Sequence, residues 1–151
     1  MIPNFKGKKF ISIILFLVFA LSLDACTKER IISFDQLPQK AQTIIKTYFS
    51  KEEILLVKLD KDGLQAEYEV KLKNGTELTF DGKGNLTKID CQRQRVPDGL
   101  VPEKVRAYVT ANHPDAFIIE WGKDDLRWKA ELNNGLELVF NKDGEFIRYD
   151  N

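Results

Sequence analysis

Leu72 to Asp90, LKNGTELTFDGKGNLTKID, lies over Leu132 to Asp150, LNNGLELVFNKDGEFIRYD, at an offset of 60 residues, and this match decides how the 151-residue chain is built. Identities fall at Leu72/Leu132, Asn74/Asn134, Gly75/Gly135, Glu77/Glu137, Leu78/Leu138, Phe80/Phe140, Gly84/Gly144 and Asp90/Asp150. Ordered self-similarity at a fixed spacing marks a duplicated supersecondary unit. Upstream the register shifts by four, so that Leu37-Pro38 lies over Val101-Pro102.

Working outward, each copy changes its hydrophobic period once. Leu37, Ala41, Ile44, Ile45 and Tyr48, and in the second copy Val101, Val105, Tyr108 and Val109, recur at three- and four-residue steps and predict amphipathic helices. Pro38 and Pro102 suit a first helical position, where no N–H is needed, and Asp35 and Asp98 are placed to satisfy free amides nearby. Ala66, Tyr68, Val70 and Leu72 then alternate with charged residues, as do Leu126, Trp128, Ala130 and Leu132, which predicts half-buried antiparallel strands. Asn74-Gly75 and Asn134-Gly135 are expected to supply positive φ values to tight hairpins, and Leu136, Leu138 and Phe140 to return to the core. The apolar stretches Ile54 to Leu59 and Phe117 to Trp121 predict further strands, covered on both faces. The fold class is α+β, a tandem repeat of a helix plus a four-stranded antiparallel meander, in two layers.

The first residues differ in kind. Lys6, Lys8 and Lys9 precede an apolar run from Phe10 to Ala20, the pattern of a signal peptide. The run is shorter than the roughly 20 residues that span a bilayer as a helix. Leu23-Asp24-Ala25-Cys26 resembles a lipobox, although Asp24 departs from it. Cys26 is therefore a lipidation candidate, and plain cleavage after Ala25 stands beside that reading. Cys26 is also able to pair with Cys91, the other cysteine, only if it carries no lipid. The organisation is a signal peptide over 1–25, a tether over 26–33, repeats over 34–90 and 100–151, and a polar linker over 91–99. The expected location is the periplasm or cell envelope.

Chemistry is sparse. Basic and acidic side chains balance at 23 each, which argues against nucleic acid as a partner. His113 is the sole histidine, placed at a helix end where packing or capping explains it better than catalysis. Asp60-Lys61-Asp62-Gly63 opens like a calcium loop but lacks the later ligands, so a hairpin turn explains it better. No catalytic residue, metal or cofactor is expected. The candidate functional feature is a mixed-charge strip on the strand face opposite the core: Glu67, Glu69, Lys71, Arg127, Lys129 and Glu131, with Trp121 beside it as an exposed aromatic anchor; a plain solvated face with Trp121 buried by the linker stands equally beside that reading.

The signal sequence, the doubled apolar-Pro helix start and the doubled N-G-x-E-L-x-F element resemble the PepSY-like family of periplasmic proteins with a beta-lactamase-inhibitor-like fold, Bacteroidetes type. The resemblance covers Phe34 to Asn151. It implies a curved two-layer repeat, no enzymatic activity, and a protein-binding role that inhibits or regulates a periplasmic or secreted peptidase or another protein. The alternative is a structural envelope lipoprotein whose role depends on its anchor, with the membrane reached only through a lipid on Cys26.

Overall fold

The computed structural model describes residues 29–62, 65–124 and 126–150. The signal peptide and Cys26 lie outside them. In chain order the elements are β1 (Arg30–Ile31), α1 (Gln39–Tyr48), β2 (Ile54–Asp62), β3 (Gln65–Leu72), β4 (Glu77–Asp81), β5 (Leu86–Asp90), α2 (Glu103–Asn112), β6 (Ile118–Asp124), β7 (Arg127–Leu132), β8 (Glu137–Phe140) and β9 (Phe146–Asp150). All nine strands form one antiparallel sheet, in sequence order. The two halves join where β5 meets β6 through Lys88↔Gly122, Ile89↔Trp121 and Asp90↔Glu120.

Both helices cover the same face. Ala41 and Ile45 of α1 and Val105 and Val109 of α2 share one buried cluster with Val70, Leu78, Phe80, Ala130, Leu138 and Phe140. Period-two alternation places those strand residues on one side of the sheet, and burying that side against the helical stripes removes it from water. Pro38 and Pro102 cap the helices from just outside, with extended ψ values of 140°, instead of occupying the first helical position. Asp35 and Asp98 sit in short 3-10 turns and make no side-chain capping bond. Fixed helix positions bond back in both copies instead. Gln42 Nε2 donates to Leu37 O at 3.0 Å, and Arg106 Nε donates to Val101 O at 3.3 Å.

The hairpins depart from the expected two-residue form. Gly75 and Gly135 have φ of +90° and +84°, but Asn74 and Asn134 do not enter the positive region. In the first, Gly75 N–H donates to Leu72 O and Leu72 N–H to Thr76 O; the second repeats both bonds. This is a three-residue loop, a turn closed by a glycine bulge. The asparagines act through their side chains, Asn74 Oδ1 accepting from Thr76 N–H at 2.9 Å. Asp60 and Asp62 lie within β2, and Asp62↔Gln65 closes a hairpin around the undescribed residues 63–64.

Three further expectations fail. Leu126 is 89% exposed beside the β6–β7 hairpin, Leu136 is exposed beside the bulge, and Leu55 faces solvent because only one side of β2 is covered. The linker is not simply polar. Cys91 and Val96 are buried, and their amides donate to Ile119 O and Ile118 O, which fastens the connection along β6.

Candidate functional site

The face opposite the helices is open. Register places Asp60, Glu67 and Asp81 in one row across β2–β4, because directly paired residues share a face. A second row runs Lys58, Glu69, Thr79, Lys88, Gly122, Lys129, Val139, Arg148. A trough of about 1530 Å³ lies over the first half of this face, with Lys58, Glu67, Glu69 and Lys71 among its lining.

Glu67, Glu69, Lys71 and Arg127 are exposed here, and Lys129 and Glu131 are half-buried, all on the open side. Trp121 is not with them. It is 5% exposed on the helix side, its ring stacked on Trp128 at 5.1 Å and set against Phe140 at 6.1 Å. The bulge between Ile118 and Glu120 accounts for the misplacement, since one extra residue reverses which side each later residue faces. As an exposed anchor, Trp121 is withdrawn.

Charge organises the second half around one lysine. Lys129 Nζ lies 2.7 Å from Asp150, 3.1 Å from Asp124 and 3.7 Å from Glu137. Hydrogen bonds to Asp150 and Asp124 push its pKa well above the ordinary range, and Lys129 with Arg148 holds the Asp150 carboxyl down at about 2. Among the described residues, Glu67 in the first half and Glu131 in the second have no such ion-pair partner. Burial, then Glu69 and Asp60, pushes Glu67 upward. Burial, then Glu120, Glu137 and Asp90, does the same to Glu131. Sequence reading missed Glu77, Asp90, Glu137 and Asp150, although each is an identity of the duplication and their pairing needed only the register of the outer strands.

Nucleophilic chemistry finds no support in the arrangement. Cys91 is 3% exposed, and burial pushes its thiol up, away from the reactive thiolate. His113 terminates α2, donating its N–H to Val109 O, and its ring faces Tyr149 with Nε2 3.3 Å from the hydroxyl. Among the described residues no three His, Cys, Asp or Glu side chains group as metal ligands. The Asp81 carboxylate is already engaged by Lys83 N–H, Asn85 N–H and Asn85 Nδ2.

Comparison with known proteins gives two matches to one family model, described as "Putative beta-lactamase-inhibitor-like, PepSY-like", over residues 24–88 and 66–148. A solved structure from Bacteroides vulgatus, titled a "putative periplasmic protein from DUF2874 family", is 35% identical, covering 82% of this chain and 98% of its own, with TM-score 0.79. One from Bacteroides thetaiotaomicron, titled a "putative calcium-regulated periplasmic protein", is 36% identical over 82% and 97% of the two chains, with TM-score 0.77. A second Bacteroides vulgatus structure, titled as of unknown function, is 28% identical over 82% and 100%, also at TM-score 0.77. No curated protein matches the chain.

Proposed function

The chain belongs to the beta-lactamase-inhibitor-like, PepSY-like family, and from that premise we propose that it is a periplasmic, non-enzymatic binding module that docks a protein partner on the open face of its sheet. The observation that carries this reading is the asymmetry of the sheet. One face holds the shared core under both helices, while the other presents ordered rows rich in ionic side chains over β2–β9. Complementary charge on such a surface steers encounter and fixes register more than it adds raw affinity. Regulation of a secreted or periplasmic enzyme is the role this geometry suits. The calcium regulation printed for one relative draws less support here, given the absence of grouped ligands among the described residues and the occupied oxygens of Asp81.

Photocrosslinking in the native envelope tests the reading. A photoreactive residue at Glu69 or Arg127 is expected to capture one discrete protein, and the same group at Thr110, exposed on α2, is expected to capture none. Adducts from Thr110 alone would place the docking surface on the helical side. The lipoprotein alternative, motivated by Leu23 to Cys26, predicts instead that Cys26→Ser abolishes membrane retention and phenotype while open-face changes do nothing.

A further inference from the structure

β9 is the longer of the two strands at the sheet's edges, and the duplication shows what such an edge holds. Its counterpart β5 is paired on both sides, with β4 inward and with β6 outward through Lys88↔Gly122, Ile89↔Trp121 and Asp90↔Glu120. The register of β8 with β9 copies that of β4 with β5, bulge included, so Arg148, Tyr149 and Asp150 stand where Lys88, Ile89 and Asp90 stand. Among the described residues, no strand pairs with their outer side.

Alternation fixes which groups point outward. Cys91 N–H donates to Ile119 O, so Ile89, two residues back, also turns its amide and carbonyl to β6. Tyr149 therefore turns its own N–H and C=O away from β8. The Arg148 guanidinium donates to that carbonyl at 3.3 Å, a contact that an incoming strand would replace. Edge strands are ordinarily blunted by shortness, proline or lysine. β1 is blunted by its two residues, whereas β9 has five, with neither proline nor lysine. Nor does the bulge protect it, since β5 carries the same bulge and still pairs.

The side chains differ in cover. Ile89 is fully buried, in one cluster with Trp121 of the strand beside it, whereas Tyr149 is 44% exposed. The Tyr149 ring stands inclined to Phe146 at 5.0 Å and edge-on to His113 at 5.8 Å. These rings form an aromatic wall on the helix side of β9, at the level where Trp121 covers Ile89.

We infer that β9 takes up an extended, antiparallel segment of a partner protein by strand addition, with a large apolar or aromatic side chain of that segment packed on Tyr149. Main-chain bonds supply the affinity of such a site, and the wall supplies its selectivity. A second copy of the chain offers no strand of this pattern, because its own β6 lies between β5 and β7. The edge is separate from the open face and does not depend on what docks there.

The probe is an end-capped peptide with the sequence of β6, Ile118–Asp124, the segment that covers β5 within the chain. Added to the full mature chain, it is expected to shift the amide resonances of Arg148, Tyr149 and Asp150 and leave those of β1 in place. N-methylation of the peptide at its tryptophan removes the amide that faces Tyr149 and is expected to weaken binding about tenfold. The same methyl group on its glutamate, whose N–H points away from the edge, is expected to leave affinity unchanged. Tyr149→Pro deletes the outward N–H without removing a bond to β8, as proline does on edge strands, and is expected to abolish the shifts, while Tyr149→Phe keeps them. Both methylated peptides act on the unaltered chain, so their comparison decides the matter even if Tyr149→Pro does not fold. Equal affinity of the two would overturn strand addition. Shifts confined to β1 or to the open face would overturn the edge, and concentration-dependent shifts of the same amides without peptide would overturn the partner by giving β9 to a second copy.

Discussion

The two halves of the sheet carry the same scaffold and opposite interiors. Register pairs Phe80 of the first copy with Tyr68 and Leu86, and Ile44 of α1 stands at the place that Tyr108 takes in the second. Around Phe140 the second copy places Tyr108 at 5.7 Å, Trp121 at 6.1 Å and Phe146 at 6.0 Å, all edge-on or inclined, with Tyr108 and Phe146 stacked at 4.5 Å. Edge-on aromatic pairs add about 0.5–1.5 kcal/mol beyond the area they bury. The hairpin hydrogen bonds recur in both copies, so the contrast between the halves lies in their side chains.

The largest effect tests that claim directly. Phe140→Ala is expected to cost about 4–5 kcal/mol in urea denaturation, at the upper end for a buried phenylalanine, and Phe80→Ala about 3–4. Both residues are fully buried, so burial alone predicts equal losses. Equal losses would mean that the aromatic cluster adds nothing to the second half.

A smaller contrast lies in the bulge glycines. Gly84 and Gly144 have nearly the same φ, +79° and +78°, and an alanine at either is strained by about 1–2 kcal/mol. Their surroundings differ. A Cβ at Gly84 would lie 2.7 Å from Pro38 Cβ and 3.1 Å from Ala41 N, so the β4–β5 turn is wedged against the start of α1. At Gly144 the nearest atom is Lys104 Cβ at 3.3 Å, the base of an exposed, flexible side chain. Gly84→Ala is expected to lower thermal stability more than Gly144→Ala by about 1 kcal/mol, the cost of displacing packed backbone. Identical shifts in melting temperature would show that φ strain alone sets the outcome.

How much of this was legible from sequence depends on whether the information is local. The glycines, the alternation of β3 and β7, and the helical steps of α1 and α2 are decided by nearby residues. Family membership and the division into a helix-covered face and an open one follow from them. Trp121 failed because a bulge at Ile118/Glu120 inverts facing, and nothing in that apolar stretch marks it. Leu126 failed because alternation carries no information about where the helix cover ends. The pairing of Glu77 with Asp90 and of Glu137 with Asp150 was invisible for a related reason: each residue sits on a separate strand, and only register assembles them. Thr76 illustrates the same limit. It occupies the place of Leu136, yet it is 1% exposed where Leu136 is 37% exposed, with its hydroxyl toward Cys91 and no hydrogen-bond partner of ordinary geometry. Thr76→Val is expected to be neutral or stabilising by up to about 1 kcal/mol, since it removes a buried unsatisfied group; a clear loss in the same denaturation measurement would mean that the hydroxyl has a partner.

The smallest and most specific contrast is electrostatic. The row Asp60, Glu67, Asp81 in the first copy corresponds to Asp124, Arg127, Asn141 in the second, so three acids stand where the second copy has an acid, a cation and an amide. Glu67 has a raised folded-state pKa, from burial first and then from Glu69 and Asp60. Its ionisation thus opposes folding: its contribution is full below the unfolded value near 4.5, and stability falls as pH rises through the raised folded value. Asp150 has the reverse sign. Its carboxyl, held at about 2, contributes above the unfolded value of 3.8 and loses that contribution as pH falls toward 2. Glu67→Arg, which copies the second half into the first, is expected to stabilise by a few tenths of a kcal/mol at pH 7. Below pH 4 most of that gain should vanish, because protonated Glu67 no longer repels its neighbours, whereas any benefit from new packing by the arginine stem would persist. A gain of equal size at both pH values would therefore assign the effect to packing and remove the electrostatic distinction between the two halves.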